Sequence, residues 1–124
     1  MVNVLRMDDK AIILMDDADF LKSEGHKVFQ AINGEDGLEQ LSKHDDVDII
    51  FTDNDMSSMG DIDGHEFAEI VRTNPEYAKY ANIPIIGIGG FSEEQKEHLT
   101  ECRSKPYRQE ILLTYIEQYC VKPE

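Results

Sequence analysis

Short apolar runs alternate along the chain with segments whose apolar positions recur at helical spacing. The runs that predict strands are residues 10–15, 26–32, 47–52, 83–88 and 99–104. The first and third runs stop abruptly at aspartates, which is typical of strands buried on both faces. Residues 35–43, 64–73 and 107–119 predict helices, and residues 92–95 resemble a helix N-cap with a capping box.

This alternation predicts an α/β doubly wound domain, in which helices cover both faces of a parallel sheet. A chain of 124 residues is expected to form a single domain, here residues 1–124. Ile, Leu, Val and Phe make up about a quarter of the residues, which is more than highly charged disordered chains contain. The chain is therefore expected to fold.

The charge balance narrows the choice of partners and compartment. There are 12 Lys and Arg residues against 26 Asp and Glu residues, a formal net charge of −14. Such a surface repels phosphate backbones, which argues against nucleic-acid binding. No apolar run has the length of a membrane span or signal peptide, so we expect a cytoplasmic protein without a membrane anchor. Cys102 and Cys120 lack zinc-site spacing and are predicted to be reduced thiols.

Residues that could take part in catalysis or ligand binding follow the predicted strands at the point where each strand ends. They are Asp16 and Asp17 after the first, Asp53 after the third, Gly89 and Gly90 after the fourth, and Lys105 after the fifth. Ligands of open parallel sheets bind at this edge. Three carboxylates there would repel one another without a cation, and their oxygens favour Mg²⁺ or Mn²⁺. The lysine and the glycine amides could hold an anion, so the pattern indicates phosphoryl transfer to a carboxylate.

The order of these motifs resembles that of bacterial response regulator receiver domains, over residues 10–119. The motifs are Asp16-Asp17, residues 48–56 with Met59 and Asp63-Gly64 behind them, residues 84–88, and residues 104–107. The resemblance implies a flavodoxin-like five-stranded sheet with strand order 2-1-3-4-5. It also implies that Asp53 is the phospho-acceptor, that Asp16, Asp17, Asp53 and the Asp55 backbone carbonyl hold Mg²⁺, that Lys105 contacts the phosphate, and that the Lys105-Pro106 bond is cis.

The resemblance further implies a role in two-component signal transduction. Such domains take a phosphoryl group from a histidine kinase or histidine phosphotransfer protein and often catalyse its hydrolysis. Since no residue follows Glu124, we expect a stand-alone regulator. Its enzymatic activity would be at most self-phosphorylation and autodephosphorylation, not that of a metabolic enzyme.

Several positions depart from the family pattern. Gly89 replaces the Ser or Thr that bonds the phosphoryl group, and Cys102 replaces the usual Tyr or Phe, so the common switch cannot operate. Residues 18–25 leave little room before the second strand, which predicts a shortened or missing first helix. Residues 90–105 are also short for a helix and a strand, residues 73–82 are long, and residues 60–62 look inserted. A lost helix would expose apolar surface, which favours a homodimer or a helper partner.

Two other functions compete with the phosphorylated receiver. A pseudo-receiver would bind a partner without phosphorylation, and Gly89, Cys102 and the shortened or missing first helix favour it. A small phosphatase of the haloacid dehalogenase type is suggested by Asp53-Asn54-Asp55, although that family carries its nucleophile on the first strand and needs a longer chain.

Overall fold

A five-stranded parallel sheet with helices on both faces organises the chain. The computed structural model of the protein describes residues 1–120. The strands are β1 (Asn3–Met7), β2 (Lys27–Ala31), β3 (Ile49–Asp53), β4 (Ile85–Ile88) and β5 (Glu101–Arg103). The helices are α1 (Ala11–Ser23), α2 (Gly34–Lys43), α3 (Gly64–Thr73) and α4 (Glu110–Cys120), with a 3₁₀ helix at Pro75–Tyr80. The strand order is β2-β1-β3-β4-β5, which confirms the predicted doubly wound fold.

The central strand β3 carries Asp53 to the edge of the sheet. All five of its residues are buried, and it pairs with β1 on one side and β4 on the other. Successive side chains of a strand point to opposite faces. Ile50 accordingly packs in the core with Phe67 of α3, whereas Ile49 and Phe51 pack in the core with Leu112 of α4. The predicted double-faced burial of this run is confirmed.

The predicted first strand, residues 10–15, is wrong because this run belongs to helix α1. The buried positions of α1 are Leu14, Asp17, Ala18 and Leu21, which form one helical stripe. Ile12 and Met15 are exposed on the other side of the helix. A run of five apolar residues does not distinguish a buried strand from a helix by periodicity. Asp16 and Asp17 therefore lie within a helix and not at a strand end.

The strand that precedes α1 is β1, which ends at Met7 and is followed by Asp8 and Asp9. It was missed because a charged residue, Arg6, interrupts its apolar residues. The predicted shortening or loss of the first helix is also wrong, since α1 has 13 residues. The homodimer was predicted because a missing first helix would expose apolar surface. Since α1 is present, that reason for a homodimer no longer applies. The unusual spacing before β2 was the signal that the strand had been assigned too late.

The connection between β4 and β5 contains no α-helix. The capping-box contacts at Ser92 form, since its Oγ accepts the Gln95 N–H at 3.2 Å and Gln95 Oε1 accepts the Ser92 N–H at 2.9 Å. Residues 93–98 nevertheless remain in turns. Phe91 and Leu99 both approach Gly87 of β4, so the segment is anchored at both ends over a short length. The expectation that this segment is short for a helix is confirmed.

The inserted residues 60–62 and the long link at residues 73–82 both pack against other parts of the fold. Residues 60–62 pack beside the start of α2, where the Ile62 carbonyl accepts the Gly34 N–H at 3.0 Å. The long link after α3 holds the 3₁₀ helix, whose Tyr80 hydroxyl donates to the His44 carbonyl at 2.6 Å. Between residues 1 and 120, no helix combines the length and apolar character needed to cross a bilayer.

The helical assignment of α1 predicts different costs for two neighbouring truncations. Leu14→Ala should lower the free energy of unfolding by about 2–5 kcal/mol, because Leu14 is 5% exposed. Ile12→Ala should change it by less than about 0.5 kcal/mol, because Ile12 is 73% exposed. Urea unfolding of the two variants measures the difference. Similar large costs at both positions would indicate a buried strand instead.

Candidate functional site

Three carboxylates meet at the edge of the sheet where β1 and β3 end. Asp8 and Asp9 follow β1, and Asp53 is the last residue of β3. One carboxylate oxygen from each lies within 4.8 Å of the others. The two strands are neighbours and parallel, so their carboxyl ends fall at the same edge. We call Asp8, Asp9 and Asp53 the acidic group.

Lys105 provides the nearest lysine charge to this group. Its Nζ lies 3.4 Å from Asp53 Oδ1 and 3.7 Å from Asp8 Oδ2. The lysine stands between β5 and α4, and the Lys105-Pro106 peptide is cis, which confirms the prediction. The side chain therefore contacts two carboxylates that come from different strands.

Burial makes the charge on Asp53 costly. Removal from water raises the pKa of Asp53, and the charge of Asp8 raises it further. Lys105 and a hydrogen bond from the Asn54 backbone act in the opposite direction without cancelling the effect. The net result is a pKa of Asp53 above its ordinary value.

The acidic group has the chemistry that a hard divalent cation requires. Its ligands are all carboxylate oxygens, which suit Mg²⁺. Asp9 Oδ1 is buried and accepts no hydrogen bond, while Asp9 Oδ2 accepts one from the Ser58 hydroxyl. A buried carboxylate oxygen without a donor is costly in a protein interior. The residues present therefore fit a divalent cation.

Asp16 and Asp17, the predicted metal ligands, are not part of the acidic group. Asp16 is exposed on α1. Asp17 Oδ2 accepts hydrogen bonds from Arg6 Nε at 3.0 Å and from the Tyr107 hydroxyl at 2.5 Å. Asp17 Oδ1 accepts one from Gln109 Nε2 at 3.1 Å. Their prediction failed with the strand assignment, since Asp8 and Asp9 occupy the strand end instead.

Arg6 is a buried cation behind the acidic group that the sequence analysis missed. It is 0% exposed and lies in β1, two residues before Asp8. Its Nη2 donates to Asp8 Oδ2 at 3.3 Å and to the Tyr107 hydroxyl at 3.2 Å, and its Nη1 donates to the Met7 carbonyl at 2.6 Å. Burial by itself lowers the pKa of Arg6, but interactions with Tyr107, Asp17 and Asp8 raise it overall. A charged residue inside an apolar strand was the available signal.

The side chain of Asp55 is hydrogen-bonded to Ser57. Asp55 Oδ1 accepts hydrogen bonds from the Ser57 hydroxyl at 2.7 Å and from its backbone N–H at 3.1 Å. These hydrogen bonds lower the pKa of Asp55. Use of the Asp55 backbone carbonyl as a metal ligand stays a prediction.

Gly89 adjoins the acidic group but does not offer its amide to an anion. Its N–H already donates to the Arg103 carbonyl at 2.7 Å, so the predicted cradle is wrong for this amide. Its φ is +116°, and a Cβ there would lie 2.9 Å from Asp53 Oδ1. A side chain at this position would therefore be strained. The Gly90 carbonyl accepts a hydrogen bond from Asn54, and an anion contact at the Gly90 amide stays a prediction.

Asn54 joins the loops around the site, and its role was not predicted. Asn54 Nδ2 donates to the Gly90 carbonyl and to Gln95 Oε1, both at 3.0 Å. Asn54 Oδ1 accepts the His65 backbone N–H at 3.3 Å and lies 2.8 Å from His65 Nδ1. One side chain thus connects the end of β3 with the loop after β4 and the start of α3.

Comparison with known proteins identifies the class to which this fold and site belong. The chain matches the model of the response regulator receiver domain over residues 4–123, and it therefore belongs to that family. It is a receiver domain of the kind used in two-component systems.

Two curated relatives are sensor kinases. The chain is 32% identical over 122 residues to the sensor histidine kinase CheAY of Helicobacter pylori, covering 93% of the chain and 14% of the relative. It is 29% identical over 119 residues to the CAI-1 autoinducer sensor kinase/phosphatase CqsS of Vibrio cholerae, covering 91% of the chain and 16% of the relative. The chain thus spans a small part of both proteins.

Solved structures show the same architecture. The Vibrio cholerae chemotaxis protein CheY4 superposes with a TM-score of 0.79 at 27% identity, covering 96% of this chain and 98% of that one. The response regulator TrrA of Thermotoga maritima, solved with Mg²⁺ and BeF, gives a TM-score of 0.79 at 22% identity, covering 96% and 99%. The second similarity concerns the fold alone.

The backbone conformation of Gly89 predicts that alanine is more destabilising at this position than at the neighbouring Gly90. Gly89→Ala should lower the free energy of unfolding by more than about 1 kcal/mol, because a side chain at positive φ is strained. Gly90→Ala is the matched control, because a Cβ there meets nothing within 4 Å. Denaturant unfolding compares the two variants. Equal stability of both would contradict the left-handed conformation at Gly89.

The raised pKa of Asp53 predicts that its charge destabilises the metal-free protein. In an acid with a raised folded-state pKa, stability falls as the pH rises from the unfolded value, about 3.9, through the folded value. The full penalty is then present at neutral pH. Asp53→Asn should raise the thermal midpoint at pH 7 in chelator, and the gain should shrink toward pH 3.

The control is Asp19→Asn, which removes one negative charge from an exposed position of α1. A gain at Asp53 no larger than the gain at Asp19 would show that net charge alone is responsible.

Proposed function

We propose that this receiver domain accepts a phosphoryl group on Asp53. The observation that carries the proposal is the convergence of the acidic group with Lys105, whose Nζ lies 3.4 Å from Asp53 Oδ1. Asp8, Asp9 and Asp53 are the side chains that would hold Mg²⁺ or Mn²⁺, together with the Asp55 backbone carbonyl. Asp9 Oδ1, which accepts no hydrogen bond and has Lys10 Nζ at 3.8 Å, supports this assignment.

The transfer we propose is a displacement at phosphorus. An oxygen of the ionised Asp53 carboxylate forms a bond to phosphorus while the bond from phosphorus to a histidine nitrogen breaks. The departing nitrogen retains that electron pair, and the imidazole leaves neutral after taking a proton from solvent. Lys105 interacts with the oxygens of the transferred group. A bound divalent cation would neutralise the charge on those oxygens.

The proposed donor is a histidine kinase or a histidine phosphotransfer protein. Membership of the receiver family and the similarity to two sensor kinases support this partner class. A cytoplasmic location and a single domain over residues 1–124 agree with this role. The net charge of −14 argues against a nucleic-acid partner. Autodephosphorylation of Asp53 would be the accompanying enzymatic activity.

A second candidate is the pseudo-receiver, which would bind its partner without phosphorylation. The specific observation in its favour is Gly89, which has no side chain to bond a phosphoryl oxygen and whose backbone conformation disfavours one. The lost hydrogen bond to a charged group is worth roughly 1.5–3 kcal/mol of differential stabilisation. The haloacid dehalogenase alternative loses its support, because Asp53 ends β3 and the chain belongs to the receiver family.

Phosphorylation should depend on Asp53 and on divalent cation. Incubation with acetyl phosphate and Mg²⁺ should add the mass of one phosphoryl group to the parent and to Asp16→Asn, and none to Asp53→Asn. Asp8→Asn should react much more slowly, because the cation loses a ligand. Asp16 is the matched control, since it is an exposed aspartate outside the acidic group. Intact-protein mass spectrometry gives the readout.

The same set of variants separates the two candidates. Millimolar Mg²⁺ should raise the thermal midpoint of the parent and raise that of Asp53→Asn much less. A parent that gains no mass but whose thermal midpoint responds to Mg²⁺ would favour the pseudo-receiver. Equal midpoint shifts in the parent and in Asp53→Asn would show that the cation binds elsewhere.

A further inference from the structure

Arg6 occupies a position where a charge is rarely tolerated. Its side chain is 0% exposed, and it lies within the apolar layer between the sheet and α1 and α4. Arginine is almost never fully buried unless it is paired. Here the guanidinium meets two carboxylates, since Nε is 3.0 Å from Asp17 Oδ2 and Nη2 is 3.3 Å from Asp8 Oδ2. The planar group thus bridges two acids from different elements.

The two acids have different surroundings. Asp17 is saturated by protein donors, since Arg6, Tyr107 and Gln109 all donate to its oxygens. Asp8 belongs to the acidic group, and its Oδ2 also lies 3.7 Å from Lys105 Nζ. The single positive charge of Arg6 is therefore shared between Asp17, whose oxygens are already hydrogen-bonded by the protein, and Asp8, which belongs to the acidic group.

We propose that Arg6 is a positioning residue that sets the divalent-cation affinity of the acidic group and links that group to the start of α4. This inference rests on the proposed function only in that Mg²⁺ binds the acidic group, and it does not require phosphorylation. Arg6 orients Asp8 from behind, and its charge competes with a cation for the same carboxylate. Asp17 moderates that competition, because it holds the other side of the guanidinium.

The link to α4 follows from the same hydrogen bonds. The Tyr107 hydroxyl donates to Asp17 and accepts from Arg6 Nη2 at 3.2 Å, and Gln109 immediately precedes α4. When Asp8 binds a cation, its attraction for Arg6 weakens and the pairing of Arg6 with Asp17 strengthens. Coupling of this kind is reciprocal, so changes at Asp17 must alter cation binding at Asp8. These contacts connect the acidic group to α4 without involving Gly89.

Two variants test the proposal by effects of opposite sign. Arg6→Met combined with Asp17→Leu removes both charges, so that neither is left buried without its partner. This double variant should bind Mg²⁺ roughly three- to tenfold more tightly than the parent, because the competing charge is gone. Asp17→Asn keeps Arg6 but removes its other acid, so it should bind Mg²⁺ more weakly by a similar factor. A residue with a purely structural role would not give effects of opposite sign.

The matched control is Arg72→Met. Arg72 is a partly buried arginine of α3 whose Nε and Nη1 donate to the carbonyls of His98 and Ala81 at 3.1 Å. It is not among the cations paired with the acidic group, so its loss should leave the Mg²⁺ affinity unchanged. Isothermal titration calorimetry with MgCl₂, in chelator-treated protein, gives the dissociation constants for all four proteins.

A second readout follows the link to α4. In the parent, Mg²⁺ should shift the amide resonances of Tyr107 and Gln109 in proportion to site occupancy, and in the double variant it should leave them nearly unchanged. Unchanged affinity in both Arg6 and Asp17 variants, with a parent that binds Mg²⁺ at the acidic group, would overturn this inference alone. A parent that binds no Mg²⁺ overturns both this inference and the proposed cation site. If the double variant does not fold, Asp17→Asn decides: equal or tighter binding refutes the proposal.

Discussion

The mutual repulsion of Asp8, Asp9 and Asp53 is the constraint on which the rest of this end of the molecule depends. Parallel pairing of β1 and β3 brings the carboxylates together, and burial makes their charge costly. The protein opposes the repulsion with three cations, namely Lys105 from the loop before α4, Arg6 from within β1, and Lys10 beside Asp9. Arg6 is in turn held by Asp17, which also accepts a hydrogen bond from Gln109 just before α4.

Much of the fold follows from sequence periodicity, because β2 to β5 and the helices α2, α3 and α4 have boundaries close to the predicted ones. The first unit was assigned wrongly because the apolar run 10–15 is compatible with either a strand or a helix. Two acidic pairs, Asp8-Asp9 and Asp16-Asp17, compete for one role, and only packing distinguishes them. Arg6 lowers the apolar content of the true strand, so the better candidate had the weaker pattern.

The site was predictable where one strand end supplies one residue, as at Asp53 and Lys105. It was not predictable where a role depends on a partner distant in sequence. Arg6 contacts a tyrosine 101 residues away, and Asn54 contacts Gln95 across 41 residues. The conformation of Gly89 could not be predicted either, since the sequence shows that the hydroxyl is missing but not that the backbone has a positive φ. Such features arise from tertiary contacts and not from local preference.

The turn segment between β4 and β5 makes the edge strand β5 easier to open locally than the central strands of the sheet. No helical hydrogen-bond ladder forms at residues 93–98. The three-residue edge strand β5 is held by backbone pairing with β4 and by hydrogen bonds from Gln118 and Tyr119 of α4 to Glu101. Segments with few buried contacts open with a smaller free energy than the core. We therefore expect the edge strand β5 to open with a smaller free energy than the central strands β1 and β3, and its amide hydrogens to exchange faster. The acidic group lies at the ends of the central strands β1 and β3, whereas Lys105 follows the edge strand β5.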